Sequence, residues 1–140
     1  MRIRMYINMM LLCIMTYPAW AEPPVKTGKE APNFSGRTAE GREINLADYR
    51  GKVVLLDFWA SWCPPCRQEM PFLIELHQTY RDAEVEIISV NIDDKTKNMD
   101  KFLSRLKGDV PFSIILDREK LIPALYEIKA IPTTILIDRQ

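Results

Sequence analysis

The stretch Val53-Val54-Leu55-Leu56-Asp57-Phe58-Trp59-Ala60-Ser61-Trp62-Cys63-Pro64-Pro65-Cys66-Arg67 decides how this chain is read. Its first seven residues are almost all apolar, the pattern of a strand buried on both faces. It runs directly into two cysteines separated by two residues, and Met70, Leu73, Ile74 and Leu76 then recur at helical spacing. A Cys-x-x-Cys between a strand and a helix makes one sulfur acidic and keeps the other within reach. The first thiolate sits at the helix N-terminus, where unpaired N–H groups and the helix dipole favour negative charge. The second can attack a mixed disulfide formed by the first. Cys63 is thus the candidate nucleophile and Cys66 the candidate resolving thiol.

The 140 residues suit one domain with a sizeable core, and Lys+Arg and Asp+Glu both number 19. No bulk charge draws the protein to nucleic acid or to an anionic membrane. Residues 1–21 read as a signal peptide. Arg2 and Arg4 form a positive start, Met5 to Met15 is apolar but too short to span a bilayer, and Ala19-Trp20-Ala21 offers a cleavage site. An uncleaved membrane anchor is the alternative. A lipoprotein site at Cys13 is disfavoured by bulky Leu12. Cleavage removes Cys13 and leaves Cys63 and Cys66 as the only thiols, with no disulfide framework to build. A loop that short constrains the unfolded chain little, so the pair is expected to be there for chemistry. Its expected location is the periplasm or another space outside the cytoplasm.

Residues 22–32 look like an extended lead-in. A β-hairpin is expected within 33–45, a strand over 52–59, and a helix from near Cys63 to Tyr80 with Pro71 inside it. Then follow a strand over 85–92, an amphipathic helix over 98–107, a strand over 112–116, a helix over 118–128 and a last strand over 133–137. Strands alternating with helices predict an α/β sheet with parallel pairs. No internal repeat or second domain is visible.

A metal site is the main alternative for the cysteines. Two sulfurs are only two ligands, and the single histidine, His77, is about three turns from Cys66, so a four-ligand zinc site cannot be built locally. A low-coordinate copper(I) site stays open on softness grounds. His77 itself reads as a surface helix residue. Asp57 lies among Leu55, Leu56, Phe58 and Trp59, so its carboxyl is expected to be desolvated and its pKa raised; a strand-end position facing solvent is the alternative. Trp59 is assigned to the core and Trp62 to the rim of the site. Pro64 and Pro65 have no N–H, which removes two donors that could stabilise the Cys63 thiolate.

Taken together, Ala31-Pro32-Asn33-Phe34, Asp48-Tyr49-Arg50-Gly51-Lys52-Val53-Val54-Leu55-Leu56, Trp62-Cys63-Pro64-Pro65-Cys66 and Ile131-Pro132-Thr133-Thr134 resemble the TlpA/ResA-like thiol-disulfide oxidoreductases of the thioredoxin superfamily. The resemblance implies an α/β, thioredoxin-like fold over 33–140: an N-terminal hairpin, then a mixed central sheet flanked by helices. Against that pattern a further strand and a closing helix are missing after Gln140. The expectation is a C-terminally incomplete domain, through truncation or with cover supplied by a partner.

The resemblance gives Asp57 the role of moving the proton of Cys66. It gives Glu69 a place near the active site linked to thiol reactivity, although a first-turn glutamate favoured by the helix dipole would look the same. It makes the Ile131–Pro132 bond cis and packs it against the cysteine loop, with the backbone of Ile131 free to pair with an extended client. Trp62, Pro64, Ile131 and Pro132 form the implied client-binding surface. No histidine lies between the cysteines, as it does in oxidising members, and with the two prolines this points to a reductant. The redox group is the Cys63–Cys66 couple, with no cofactor and no metal. The implied clients are exported proteins carrying disulfides, such as apocytochrome c, and the implied electron source is a membrane thiol donor. An oxidant or isomerase, and a copper or peptide carrier, are the other readings. Peroxidase activity is disfavoured because the T-x-x-C motif is absent. Oligomeric state is not legible.

Overall fold

The computed structural model describes residues 27–140. The proposed signal peptide, Cys13 and the first residues of the lead-in lie outside them. Strands β1 (Ser35–Arg37) and β2 (Glu43–Asn45) form an antiparallel hairpin, followed by a 3-10 turn over Leu46–Tyr49. The main sheet contains β3 (Val53–Trp59), β4 (Val85–Asn91), β5 (Ser113–Leu116) and β6 (Thr133–Ile137), in the order β5-β4-β3-β6. Helix α1 spans Pro64–Tyr80, α2 Thr96–Leu103 and α3 Leu121–Leu125.

β3 and β4 are parallel, as are β4 and β5, whereas β6 runs antiparallel to β3. The sheet is therefore mixed, as the resemblance implied; strands and helices alternate through to β6, and only the parallel direction stops at the first three strands. The chain enters β6 through Pro132 on the side of the sheet where β3 ends, with Thr133 opposite Phe58. That entry point forces the reversed direction.

Alternate residues of the two central strands face opposite ways. Val54, Leu56, Phe58, Ile88 and Val90 join Phe34, Ile44, Leu46, Ile115, Ile122 and Tyr126 in one apolar cluster under the hairpin and α3. Tyr126 meets both Phe34 and Phe58 with ring centroids 5.9 Å apart, and its hydroxyl donates to the Pro32 carbonyl at 2.7 Å. The hairpin docks at Gly36, where a Cβ would come within 2.6 Å of the Ile115 side chain. On the other face, Trp59, Cys63, Cys66, Met70, Met99 and Ile114 form a second cluster under α1 and α2.

Two helices are shorter than their sequence pattern suggests. The second starts at Thr96 and ends at Leu103, because the last apolar positions, Leu106 and Val110, pack from a turn that Gly108 completes at φ +92°. The third is a helix only over Leu121–Leu125: Asp117 reaches forward to accept from the Leu121 and Ile122 N–H groups, so residues 118–120 form the turn before it. Lys120 closes that turn at φ +58°. Helix α1 continues through Pro71. β6 lies at the edge of the sheet, and Leu136 on it is 69 % exposed.

Candidate active site

Cys63 is the N-cap of α1, and Pro64 and Pro65 occupy the first positions of the helix, where the missing N–H groups would be unpaired in any case. Cys63 and Cys66 are joined by a disulfide. The Cys66 N–H donates to Cys63 Sγ at 3.3 Å, the backbone contact expected of a helix N-terminus that favours negative charge on this sulfur. A nucleophilic sulfur at the start of a helix would be expected to lie open to solvent. Instead Cys63 is only 4 % exposed in the bridged form, because Trp59, Met70, Met99 and Ile114 surround the pair. The residues beside the cysteines in the chain are the exposed ones: Trp62, 60 % exposed, with Pro64 and Pro65.

Asp57 is buried in the middle of β3, two residues before Trp59 and so on the same face of the sheet as the cysteine cluster. The alternative of a solvent-facing aspartate is excluded. Its Oδ2 accepts from the Ser89 hydroxyl at 3.2 Å, and its Oδ1 has no hydrogen-bond partner. Burial, reinforced by the negative charge of Glu69, pushes the Asp57 carboxyl up to about 7, against the smaller opposing effect of the Ser89 bond. A carboxyl that gains and loses a proton near neutrality, with one oxygen free to take it, suits proton transfer.

Glu69 lies beyond the first turn of α1, so the dipole explanation does not apply to it. It is half-buried and accepts from the Thr134 hydroxyl at 3.3 Å, and Thr134 stands directly opposite Asp57 in the β3–β6 register. Glu69 and Asp57 therefore belong to one electrostatic unit. The Ile131–Pro132 bond is cis, and partly buried Ile131 packs against the cluster that holds both cysteines. Cys63, Cys66 and Ile131 thus meet at one place, with exposed Trp62 and Pro64 on either side of Cys63 in the chain. His77 is remote from it: half-buried in the last turn of α1, its ring lies 5.9 Å from Phe112, with Nδ1 buried and unpartnered.

Four residues of this region were not singled out from the sequence. Ser89 holds Asp57, while Asn91 and Asp93 form a buried network with Ser61. The signal was present in Ile87-Ile88-Ser89-Val90-Asn91-Ile92-Asp93, where polar residues recur with period two inside an apolar run. Reading the run only as a buried strand hid the polar stripe. Among the described residues no group of three or more His, Cys, Asp or Glu could hold a metal ion.

A family model described as the AhpC/TSA family matches residues 27–140. The thiol-disulfide oxidoreductase ResA of Geobacillus thermodenitrificans is 39 % identical over 141 residues, covering 97 % of this chain and 80 % of the relative. The chain belongs to the AhpC/TSA family, among its ResA-like thiol-disulfide oxidoreductases. ResA of Geobacillus kaustophilus is 40 % identical over 115 residues, covering 82 % of this chain and 65 % of that protein. A crystal structure of a candidate thiol:disulfide interchange protein DsbE from Chlorobium tepidum superposes with a TM-score of 0.76 at 38 % identity, over 82 % of this chain and 79 % of that one. The thioredoxin-like fold and the oxidoreductase class are thereby established. Proteins of this kind use their own cysteine pair as the redox group and need no cofactor, and their substrates are proteins with disulfides.

Proposed function

We propose that this ResA-like chain is an exported protein-disulfide reductase. The observation that carries the reading is the Cys63–Cys66 couple at the N-terminus of α1, with Asp57 buried on the same face of the sheet. In the reduced protein the Cys63 thiolate attacks one sulfur of a client disulfide. A Cys63–client mixed disulfide forms and the client's other sulfur leaves as a thiolate, which takes a proton from solvent. Cys66 then gives its proton to the Asp57 carboxylate and attacks Cys63 Sγ. The second client sulfur departs, the Cys63–Cys66 bond closes, and two electrons have passed to the client. Burial, with the charge of Glu69 adding to it, keeps the Asp57 carboxyl titrating near neutrality, so that it can accept this proton and later return it.

Trp62, Pro64, Ile131 and Pro132 receive the client as an extended segment beside the cysteines. The prolines between the cysteines, and the absence of a histidine there, favour the reducing direction. The signal-like residues 1–21 support export to the periplasm or its equivalent, where apocytochrome c cysteines are suitable clients and a membrane thiol donor must return the electrons. The test is equilibration of the purified chain with glutathione or dithiothreitol buffers. A potential near the roughly −270 mV of thioredoxin is expected, and a value above about −180 mV would make the protein an oxidant or isomerase.

A further inference from the structure

We propose that Asp93 is the positioning residue of the redox loop: by gripping Ser61 it fixes the segment between β3 and α1 that aims Cys63 and presents Trp62. The inference rests on Cys63 being the attacking sulfur, and adds to that reading a residue outside the motif.

Asp93 follows the end of β4 and is 2 % exposed. Its Oδ2 accepts from the Ser61 N–H at 2.9 Å and from Asn91 Nδ2 at 2.8 Å, and its Oδ1 accepts from the Ser61 hydroxyl at 2.9 Å. The Asp93 N–H in turn donates to Asn91 Oδ1 at 3.1 Å. Asn91 is fully enclosed and lies opposite Trp59 in the β3–β4 register, so the grip is anchored in the two central strands of the sheet. Ser61 also accepts at its carbonyl from Arg67 Nη1 at 3.5 Å. The N–H, hydroxyl and carbonyl of one loop residue are thus all engaged, and the cysteine turn is bracketed from β4 on one side and α1 on the other.

The prolines explain why such a grip is needed. With no N–H at positions 64 and 65, the turn has few donors of its own, and it is held by Cys63 N–H to the Ala60 carbonyl and Arg67 N–H to the Cys63 carbonyl, each at 3.1 Å. Thiol exchange needs the attacking sulfur in line with the bond it breaks, and a displacement of about 1 Å can cost up to about 100-fold in rate. A carboxylate holding both the backbone and the side chain of Ser61 suppresses that displacement. A role confined to stability would lower the melting temperature and leave the rate per folded molecule unchanged.

The test is the second-order rate at which the reduced full chain is oxidised by glutathione disulfide at pH 7, measured where circular dichroism shows each variant folded. Asp93→Ala is expected to slow the reaction about 10-fold or more. Asp93→Asn is expected to recover most of the rate, because its carbonyl can accept from the Ser61 and Asn91 N–H groups while its amide donates to the Ser61 hydroxyl. Ser61→Ala, which keeps only the backbone bond, should fall between them. An Asp93→Ala rate within about twofold of the parent, or an Asp93→Asn rate as low as that of Asp93→Ala, overturns the proposal. Should Asp93→Ala not fold, a Ser61→Ala rate equal to the parent's overturns it in the same way. No exchange by the parent chain would instead remove the reductase reading beneath it.

Discussion

The two faces of the central sheet are built from the same strands to opposite ends. Under the hairpin and α3, Val54, Leu56, Phe58, Ile88 and Val90 pack into one cluster of apolar and aromatic side chains. Under α1, the alternate positions of those strands include Asp57, Ser89 and Asn91, all buried. Burying a carboxyl or an amide costs free energy unless its partners are in place, so the α1 face gives up stability that the hairpin face supplies. The difference teaches where to look for chemistry in such a sheet. The face that tolerates buried polar groups is the one beside the cysteines.

Substitutions should therefore separate by face. Cys63→Ala is expected to abolish thiol exchange outright, measured as loss of client or glutathione disulfide reduction, with only a small change in melting temperature. Phe58→Ala, on the opposite face, should cost about 3–5 kcal/mol in denaturant unfolding and leave the exchange rate per folded molecule within about twofold. A large rate loss in that variant would break the division between the faces.

Asp57→Asn crosses the comparison, since it should gain stability while losing chemistry. The Asp57 carboxyl titrates at about 7 in the folded chain and close to its ordinary 3.8 when unfolded. Between those values the folded chain holds a proton that the unfolded chain has released, so stability falls as pH rises from about 4 to about 7. Above that window the loss is complete, and below it there is none. Asparagine removes the loss, so at pH 8 Asp57→Asn should be more stable by an amount of the order of 4 kcal/mol, and equal to the parent near pH 3. The inflection near neutrality in the rate of mixed-disulfide resolution should disappear in the same variant.

Smaller effects sharpen the picture. Gly36→Ala forces a Cβ against Ile115 and should cost about 1–3 kcal/mol with no effect on exchange. Ser89→Ala removes the one hydrogen bond that favours the charged form of Asp57, so the kinetic inflection should move to higher pH.

Much of this was legible in the residues. Leu55 to Trp59 leading into Cys-Pro-Pro-Cys specified the central strand, the helix and the sulfur chemistry, because apolar runs and helix-start residues act locally. Asp57 was legible for the same reason: its neighbours in sequence are its neighbours in burial. The mixed sheet was implied only by the resemblance, since the antiparallel direction of β6 depends on where the chain re-enters the sheet. The early start of α3's capping was hidden because Asp117 acts across a turn, four and five residues ahead. The grip of Asp93 on Ser61 joins residues 32 apart and has no local signature beyond the period-two stripe. The burial of Cys63 follows from packing by Met99 and Ile114, which belong to other elements.

The most direct test of the central claim is to incubate the reduced Cys66→Ala variant with a disulfide-bonded protein client and follow both by mass spectrometry. The account predicts a stable mixed disulfide at Cys63, released by added thiol, while the parent chain instead accumulates its own Cys63–Cys66 bridge and the client's free thiols. Failure of Cys63 to capture the client, with the parent chain also leaving the client oxidised, would contradict it.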